Sequence, residues 1–176
     1  MLTQEGLKKL LHYNPELGVF IWLAPKRRVT VGEIAGSKNK CGPTNIMIEG
    51  KMYKAHRLAW FYMTGEWPKR CIDHVNGNPK DNRWKNLRGA THTQNMRNRK
   101  IGENNSSQFK GVYLPKGKTK WVARVHHEGK TKHLGCFDCE HEAALAYNQY
   151  VMDYHGQYAR FNQVYNHFDV EVGRDD

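Results

Sequence analysis

The chain has 176 residues, with 28 Lys or Arg against 17 Asp or Glu, 10 His and a formal net charge of +11. That length suits one or two small domains rather than one large core, and the charge favours a polyanionic partner, nucleic acid first. No apolar run approaches the roughly 18 residues of a membrane-spanning helix, and the N-terminus lacks the charged flank, apolar centre and cleavage site of a secretory signal, so a soluble intracellular protein is expected.

In chain order, Leu7, Leu10 and Leu11 predict a short amphipathic helix over 5–12. "GVFIWLA" (18–24) predicts a strand, followed by the basic turn "PKRR". "NIMIEGKMYKAH" (45–56) predicts a hairpin about Glu49-Gly50, and "RLAWFYMTG" (57–65) a helix stopped by Gly65. "RCIDHV" and "NLRGA" are expected as short strands around the turn-rich "NGNPKDN". Thr91 and Gln94 then make a capping box for a helix through "THTQNMRNRK". The Gly/Asn/Ser-rich stretch 101–109 reads as a linker. Beyond it, "GVYLPKG", "KWVARVHHEGK" and "TKHLGCF" predict three strands, with a hairpin at Glu128-Gly129, and "DCEHEAALAYNQYVMDYHG" a long helix. The tail, 163–176, ends acidic and is expected to fray.

Of the cysteines Cys41, Cys71, Cys136 and Cys139, the last two form a Cys-x-x-Cys. A closed zinc site would need two further convergent ligands, so semi-buried thiols in a reducing compartment are the expectation.

The densest chemistry lies at 71–95, "CIDHVNGNPKDNRWKNLRGATHTQN". Phosphodiester hydrolysis needs an activated water, a stabilised leaving oxygen and neutralisation of added negative charge. His74 suits a base near neutral pH, while Asp73 and Asn95 offer oxygen donors to a hard cation. Adjacent strand residues point to opposite faces, so Asp73 and His74 share a site only if the strand ends or bends there. Residues 69–100 carry nine Lys or Arg and two acidic residues.

This stretch resembles the catalytic motif of HNH nucleases, in particular the phage and intron-encoded homing endonuclease branch. The Asp73-His74 pair, the "NGN" and "DNR" of the turn, "NLR" at 86–88 and Asn95 in the following helix carry the resemblance. The resemblance implies a ββα-metal (His-Me finger) unit within an HNH domain over 1–100, the motif spanning about 70–100. It also implies His74 as general base, Asp73 and Asn95 as ligands of one Mg²⁺ or Mn²⁺ per site, and Asn86 holding the loop so that His74 stays oriented. His56, in "KAHRLAW", recurs in the same branch; a structural anchoring role is favoured over a contact near the catalytic loop. His92, offset from Asn95, reads as a phosphate or surface contact. Arg97, Arg99 and Lys100 would face phosphates.

Residues 109–162 resemble the apetala-two/ethylene-response-factor DNA-binding domain through "KGV", "WVARV", "LGCF", "EHEAALAYN" and "ARFN". That implies a C-terminal three-stranded antiparallel sheet packed on one helix, at 110–162, laid in a DNA major groove. The whole chain is thus expected to be of α+β class. Alternation would place Trp121, Ala123 and Val125 against the helix and Val122, Arg124 and His126 toward DNA. Lys110, Tyr113 and His133 stand where relatives contact DNA, and Arg124 is the candidate reader of guanine.

The expected function is a sequence-selective, metal-dependent DNA endonuclease of the homing type in a bacterial or phage-infected cell. It would act on double-stranded DNA, as a monomer or a DNA-assembled dimer and without a membrane partner. Two readings compete: a non-cleaving DNA-binding transcription regulator, which the second resemblance permits, and an RNA-binding or RNA-cutting protein, which the charge alone permits.

Overall fold

A computed structural model describes residues 2–26, 29–36, 42–102 and 104–164. The chain divides into two units, 1–98 and 99–176.

In the first unit, helix α1 (Gln4–Leu10) is opened by Thr3, whose hydroxyl accepts from the Gly6 N–H at 3.0 Å. The helix expected over 5–12 stops at Leu10, because Leu11 turns extended (φ −138°, ψ 136°) and begins strand β1 (Leu11–Asn14). There Leu11 and Tyr13 alternate into the core, and the two-residue period wins over the helical one. β1 pairs antiparallel with β2 (Val19–Trp22), which in turn pairs with the short β3 (Ile34–Ala35). Neither β1 nor β3 is apparent in the sequence.

β4 (Asn45–Ile48) and β5 (Lys51–Lys54) form the expected hairpin. Its two central residues, Glu49 and Gly50, both have positive φ, as a turn that matches strand twist requires. Helix α2 (Ala55–Thr64) comes directly after it and ends on Gly65, at φ 77°, with its N–H bonded to the Phe61 carbonyl. Leu7, Leu11, Tyr13, Phe20, Ile46, Ile48, Leu58 and Phe61 form one core, which Ile72 and Leu87 join from the next elements. Each fully buried side chain of this size contributes about 1.5–3 kcal/mol, enough to make these elements a rigid base for the polar motif at 71–98.

That motif is built from β6 (Cys71–His74), a polar loop ending in a single 3₁₀ turn (Trp84–Asn86), β7 (Leu87–Ala90) and α3 (His92–Asn98). β6 and β7 are antiparallel, with Asp73 opposite Arg88 and His74 opposite Leu87. The capping box closes as the sequence predicts: Gln94 N–H donates to the Thr91 hydroxyl at 3.2 Å, and Thr91 N–H donates to Gln94 Oε1 at 2.8 Å.

The second unit has a three-stranded antiparallel sheet in the order β10-β9-β8, made of β8 (Val112–Tyr113), β9 (Trp121–His127) and β10 (Lys130–Phe137). Helix α4 (Glu140–His155) packs Ala143 and Ala144 against Val112 and Ala123, and Tyr147 and Val151 against Val125. Small residues on the helix let the two layers approach closely. Gly111, at φ 78°, has no room for a side chain, since a Cβ there would lie within 2.2 Å of the Tyr147 ring. Within the stretch expected to be a linker over 101–109, Ser107 and Phe109 are buried, while Asn105, Ser106 and Gln108 are exposed. Asn105 donates to the carbonyls of Ser107 and Val112, Ser107 is buried and donates to Glu140 at 2.6 Å, and Phe109 is a core residue. Polar composition concealed this, because the Asn and Ser side chains satisfy backbone groups rather than solvent. The expected tail lies outside the described residues from 165 onward, as do Cys41 and part of "PKRR".

Candidate active site

β6 ends at His74. Gly77 N–H closes a turn onto the His74 carbonyl at 2.8 Å, and Val75 N–H bonds to the Asn86 carbonyl at 2.9 Å. Asn86 is the hub of the loop. Its Oδ1 accepts from Asn76 N–H at 2.9 Å, while its Nδ2 donates to the Asp81 carbonyl at 2.7 Å and to Asn76 Oδ1 at 3.0 Å. Asp81 is clamped in turn by Arg83, with Nε to Oδ1 at 2.7 Å. The hydrogen bond from Arg83 draws its carboxyl down to about 2, so it is charged throughout the physiological range.

The Asp73 carboxylate is buried, at 3% exposure. Arg88, its cross-strand neighbour, donates to Oδ2 from Nε at 2.8 Å and lies at 2.7 Å through Nη2. Asn98 Nδ2 reaches both carboxylate oxygens at 3.1 Å and the His74 carbonyl at 2.7 Å. One amide thus ties the last residue of α3 to the two central residues of the motif. Asn95 lies one turn earlier on the same face of α3, half-buried.

His74 is 8% exposed. Its Nε2 lies 3.1 Å from Asn82 Oδ1, and its ring stands edge-to-face with that of His56, centroids 5.1 Å apart. Burial first, then the charges of His74, Lys54 and Arg57, lowers the His56 pKa to about 4, so His56 is neutral near pH 7. Its Nδ1 is buried without a hydrogen-bond partner among the described residues.

Three residues of this cluster escape the sequence reading. Asn82 reads there as a turn former, Arg88 as part of "NLR", and Asn98 as unremarked. The cross-strand register that brings Arg88 to Asp73, and the helical interval of three from Asn95 to Asn98, are the signals that could have found the last two. Nothing in sequence spacing singles out Asn82.

Of the basic residues near the site, Arg97 is half-buried on α3, and Arg99 and Lys100 are exposed. In the second unit, Arg124, His126 and His133 are exposed on one face of the sheet, with Arg124 directly opposite His133. The Arg124 guanidinium lies over the Tyr113 ring, 4.4 Å from its centroid. Val122 shares their parity but is buried between cross-strand partners Tyr113 and Cys136, so it does not belong to the exposed set. Lys110 is half-buried: its Nζ donates to the Arg99 carbonyl at 2.8 Å, and burial lowers its pKa to about 8.

Among the described residues no group of three or more His, Cys, Asp or Glu side chains is placed to hold a metal ion, and Cys71, Cys136 and Cys139 are free thiols. No helix among them is long and apolar enough to cross a membrane.

The family model of the HNH endonuclease domain matches residues 53–97, from the end of β5 through α3. Such a domain implies a DNA substrate, and its family generally uses a divalent metal. The chain is 35% identical over 115 residues, 63% of its length, to Protein 3.8 of Escherichia phage T7, of which the match covers 94%. No solved structure matches. The chain belongs to the family of this phage protein and carries an HNH endonuclease domain at residues 53–97.

Proposed function

We propose that the protein is a divalent-metal-dependent DNA endonuclease of the homing type, in which His74 is the general base and the second unit grips the DNA. The observation that carries this reading is the buried pair at the end of β6. A carboxylate and an imidazole on consecutive residues are each fixed by separate partners, Arg88 and Asn82 within the matched residues and Asn98 just beyond them.

The residues fit a hard divalent cation. Asp73 is a preorganised carboxylate already facing one positive group, Arg88, and a carboxylate has lone pairs beyond those these partners use. Asp73 and Asn95 would hold the ion as oxygen donors, a set that suits Mg²⁺ or Mn²⁺ better than softer metals. When bound, such an ion supplies neutralisation of the phosphate and of the departing oxygen. The remaining work falls to the chain. His74 takes the proton of the attacking water, Asn86 keeps the loop shut beneath it, and Asn98 fixes α3 against β6. Arg88, anchored on Asp73, limits how far the carboxylate can move.

In the second unit the fold order, three strands then a helix, and the exposed Arg124, His126 and His133 with Tyr113 support a domain of apetala-two/ethylene-response-factor type. That face would enter a groove, Arg124 reading a base edge and Arg99 and Lys100 meeting phosphates.

The deciding experiment incubates supercoiled plasmid and phage DNA with the protein and Mg²⁺, with and without EDTA, and maps the ends. Nicked or linear product that vanishes with EDTA is expected. Tight binding without product would favour the non-cleaving regulator, and activity persisting in EDTA would exclude the metal-dependent mechanism.

A further inference from the structure

The imidazole of His74 can act as a base only through a nitrogen that carries a lone pair, and a neutral imidazole has one such nitrogen, set by what the other one bonds. The partner of Nε2 is the side chain of Asn82, itself only 3% exposed. The other end of that carboxamide, Nδ2, faces the Lys80 carbonyl at 3.4 Å. The atom turned to His74 is therefore Oδ1, which can only accept. Nε2 must carry the proton, and Nδ1, which has no hydrogen-bond partner among the described residues, keeps the lone pair.

Asn82 is in turn held from a part of the chain outside the matched domain. The buried Tyr13 on β1 donates its hydroxyl to the Asn82 carbonyl at 2.6 Å. The turn between β1 and β2 docks beside it: the Pro15 carbonyl accepts from Trp84 N–H at 2.9 Å. Gly18, at φ 70°, lies so close to the loop backbone that a Cβ there would be 2.3 Å from Arg83 N and 2.5 Å from Asn82 C. The hydroxyl and the glycine are each what this contact requires, one for reach and one for absence of bulk.

We propose that the N-terminal hairpin, through Tyr13, Gly18 and Asn82, is a positioning element that holds His74 in the Nε2-protonated tautomer and so leaves Nδ1 as the water-facing nitrogen. Asn82, Tyr13 and Gly18 are positioning residues: they act through His74 and touch no substrate. The proposal deepens the nuclease reading and rests on it for the role of Nδ1, but the tautomer itself is measurable without any cleavage.

The test records the ¹⁵N resonances of the His74 ring in the full chain across a pH series, read on the plateau where the ring shifts no longer change, alongside single-turnover cleavage of plasmid. In the wild type Nε2 is expected in the protonated range and Nδ1 in the unprotonated range. Asn82→Ala should give a mixture of tautomers and slow cleavage by roughly ten- to a hundredfold, the scale of losing one orienting hydrogen bond to a charged or polar catalytic group. Asn82→Asp keeps an acceptor at the same place and should restore the single tautomer. Tyr13→Phe, which removes one hydroxyl and leaves the ring in the core, should move both readouts in the same direction by less. An unchanged tautomer in Asn82→Ala overturns the proposal, as does an Nδ1-protonated wild type. Should the wild type show the expected tautomer but no cleavage, the positioning claim stands and the nuclease reading fails. If Asn82→Ala does not fold, Tyr13→Phe and Asn82→Asp carry the decision through the same two measurements.

Discussion

The two units handle the polar residues of their candidate sites in opposite ways. In the first, Asp73, His74, Asn82, Asn86 and Asn98 are all buried, and each has a hydrogen-bonded partner. In the second, Arg124, His126 and His133 stand exposed on a sheet face, where Arg124 lies over the Tyr113 ring and His133 Nε2 is 3.8 Å from Cys136 Sγ. Burying polar groups is costly unless all are satisfied, so the first arrangement spends stability on fixed geometry. The second keeps its groups hydrated until a partner arrives. Chemistry on a phosphodiester needs atoms held to fractions of an ångström; gripping a long polyanion needs charge and reach. The contrast therefore separates a place built to react from a surface built to bind, and substitutions should separate along the same line.

The largest effect is expected from His74→Ala. Removing a general base should slow single-turnover cleavage by roughly 10²–10⁴-fold, while DNA affinity by filter binding stays within about threefold. Full activity in that variant would dissolve the contrast. Asp73→Ala should differ from it in kind. It strands the Arg88 guanidinium, 16% exposed, without its carboxylate, and breaking a buried pair from one side costs on the order of 3–5 kcal/mol. Denaturant unfolding of the first unit should show that loss, together with loss of cleavage; a variant as stable as wild type would mean that the pair is not rigidly formed.

His56 gives a pH dependence confined to the first unit. Its folded pKa, near 4, lies below its ordinary 6.5 because of burial first and the neighbouring His74, Lys54 and Arg57 next. The unfolded chain thus takes up the proton first as pH falls. Stability is complete above about pH 6.5 and is lost progressively as pH drops toward 4, by up to about 3 kcal/mol. Unfolding curves at pH 7.5, 5.5 and 4.5 should show this slope in the wild type and a weaker one in His56→Gln. An equal slope in both would place its origin elsewhere.

The smallest effect sharpens the other side. Arg124→Ala should weaken DNA binding by about 1–3 kcal/mol if it reads a base edge, or by less if it meets only phosphates, and should leave the cleavage rate at saturating DNA unchanged. A drop in that rate, with affinity intact, would move Arg124 from binding to chemistry.

Local pattern reaches far into this protein. The Thr91–Gln94 box, the two Glu-Gly hairpins and the stops at Gly65 and Gly156 arise from short-range geometry, and each is read correctly from a few neighbouring residues. The Asp73-His74 pair at a strand end was likewise legible, because turn chemistry and strand alternation act within a dozen residues; the place of Asn86 against the loop backbone was an expectation of the family resemblance alone. Where local rules competed, they misled. Leu11 fits a helix by spacing and a strand by burial, and Ser107 and Phe109 are buried within a stretch that looks like a linker.

What the sequence by itself determined was most of the elements, β1 and β3 excepted, and the residue types brought to the motif. Only the tertiary structure decided which of several chemically similar asparagines does what. Asn76, Asn82, Asn86, Asn95 and Asn98 carry the same side chain, and their separate places are set by register and packing: Asn98 against Asp73, Asn86 against the loop, Asn82 between Tyr13 and His74. Tyr13 and Asn82 stand 69 positions apart. A hydrogen bond over that span leaves no periodicity to read, since it is made by the apolar core that carries β1 to the loop, and that core exists only once the whole unit has folded.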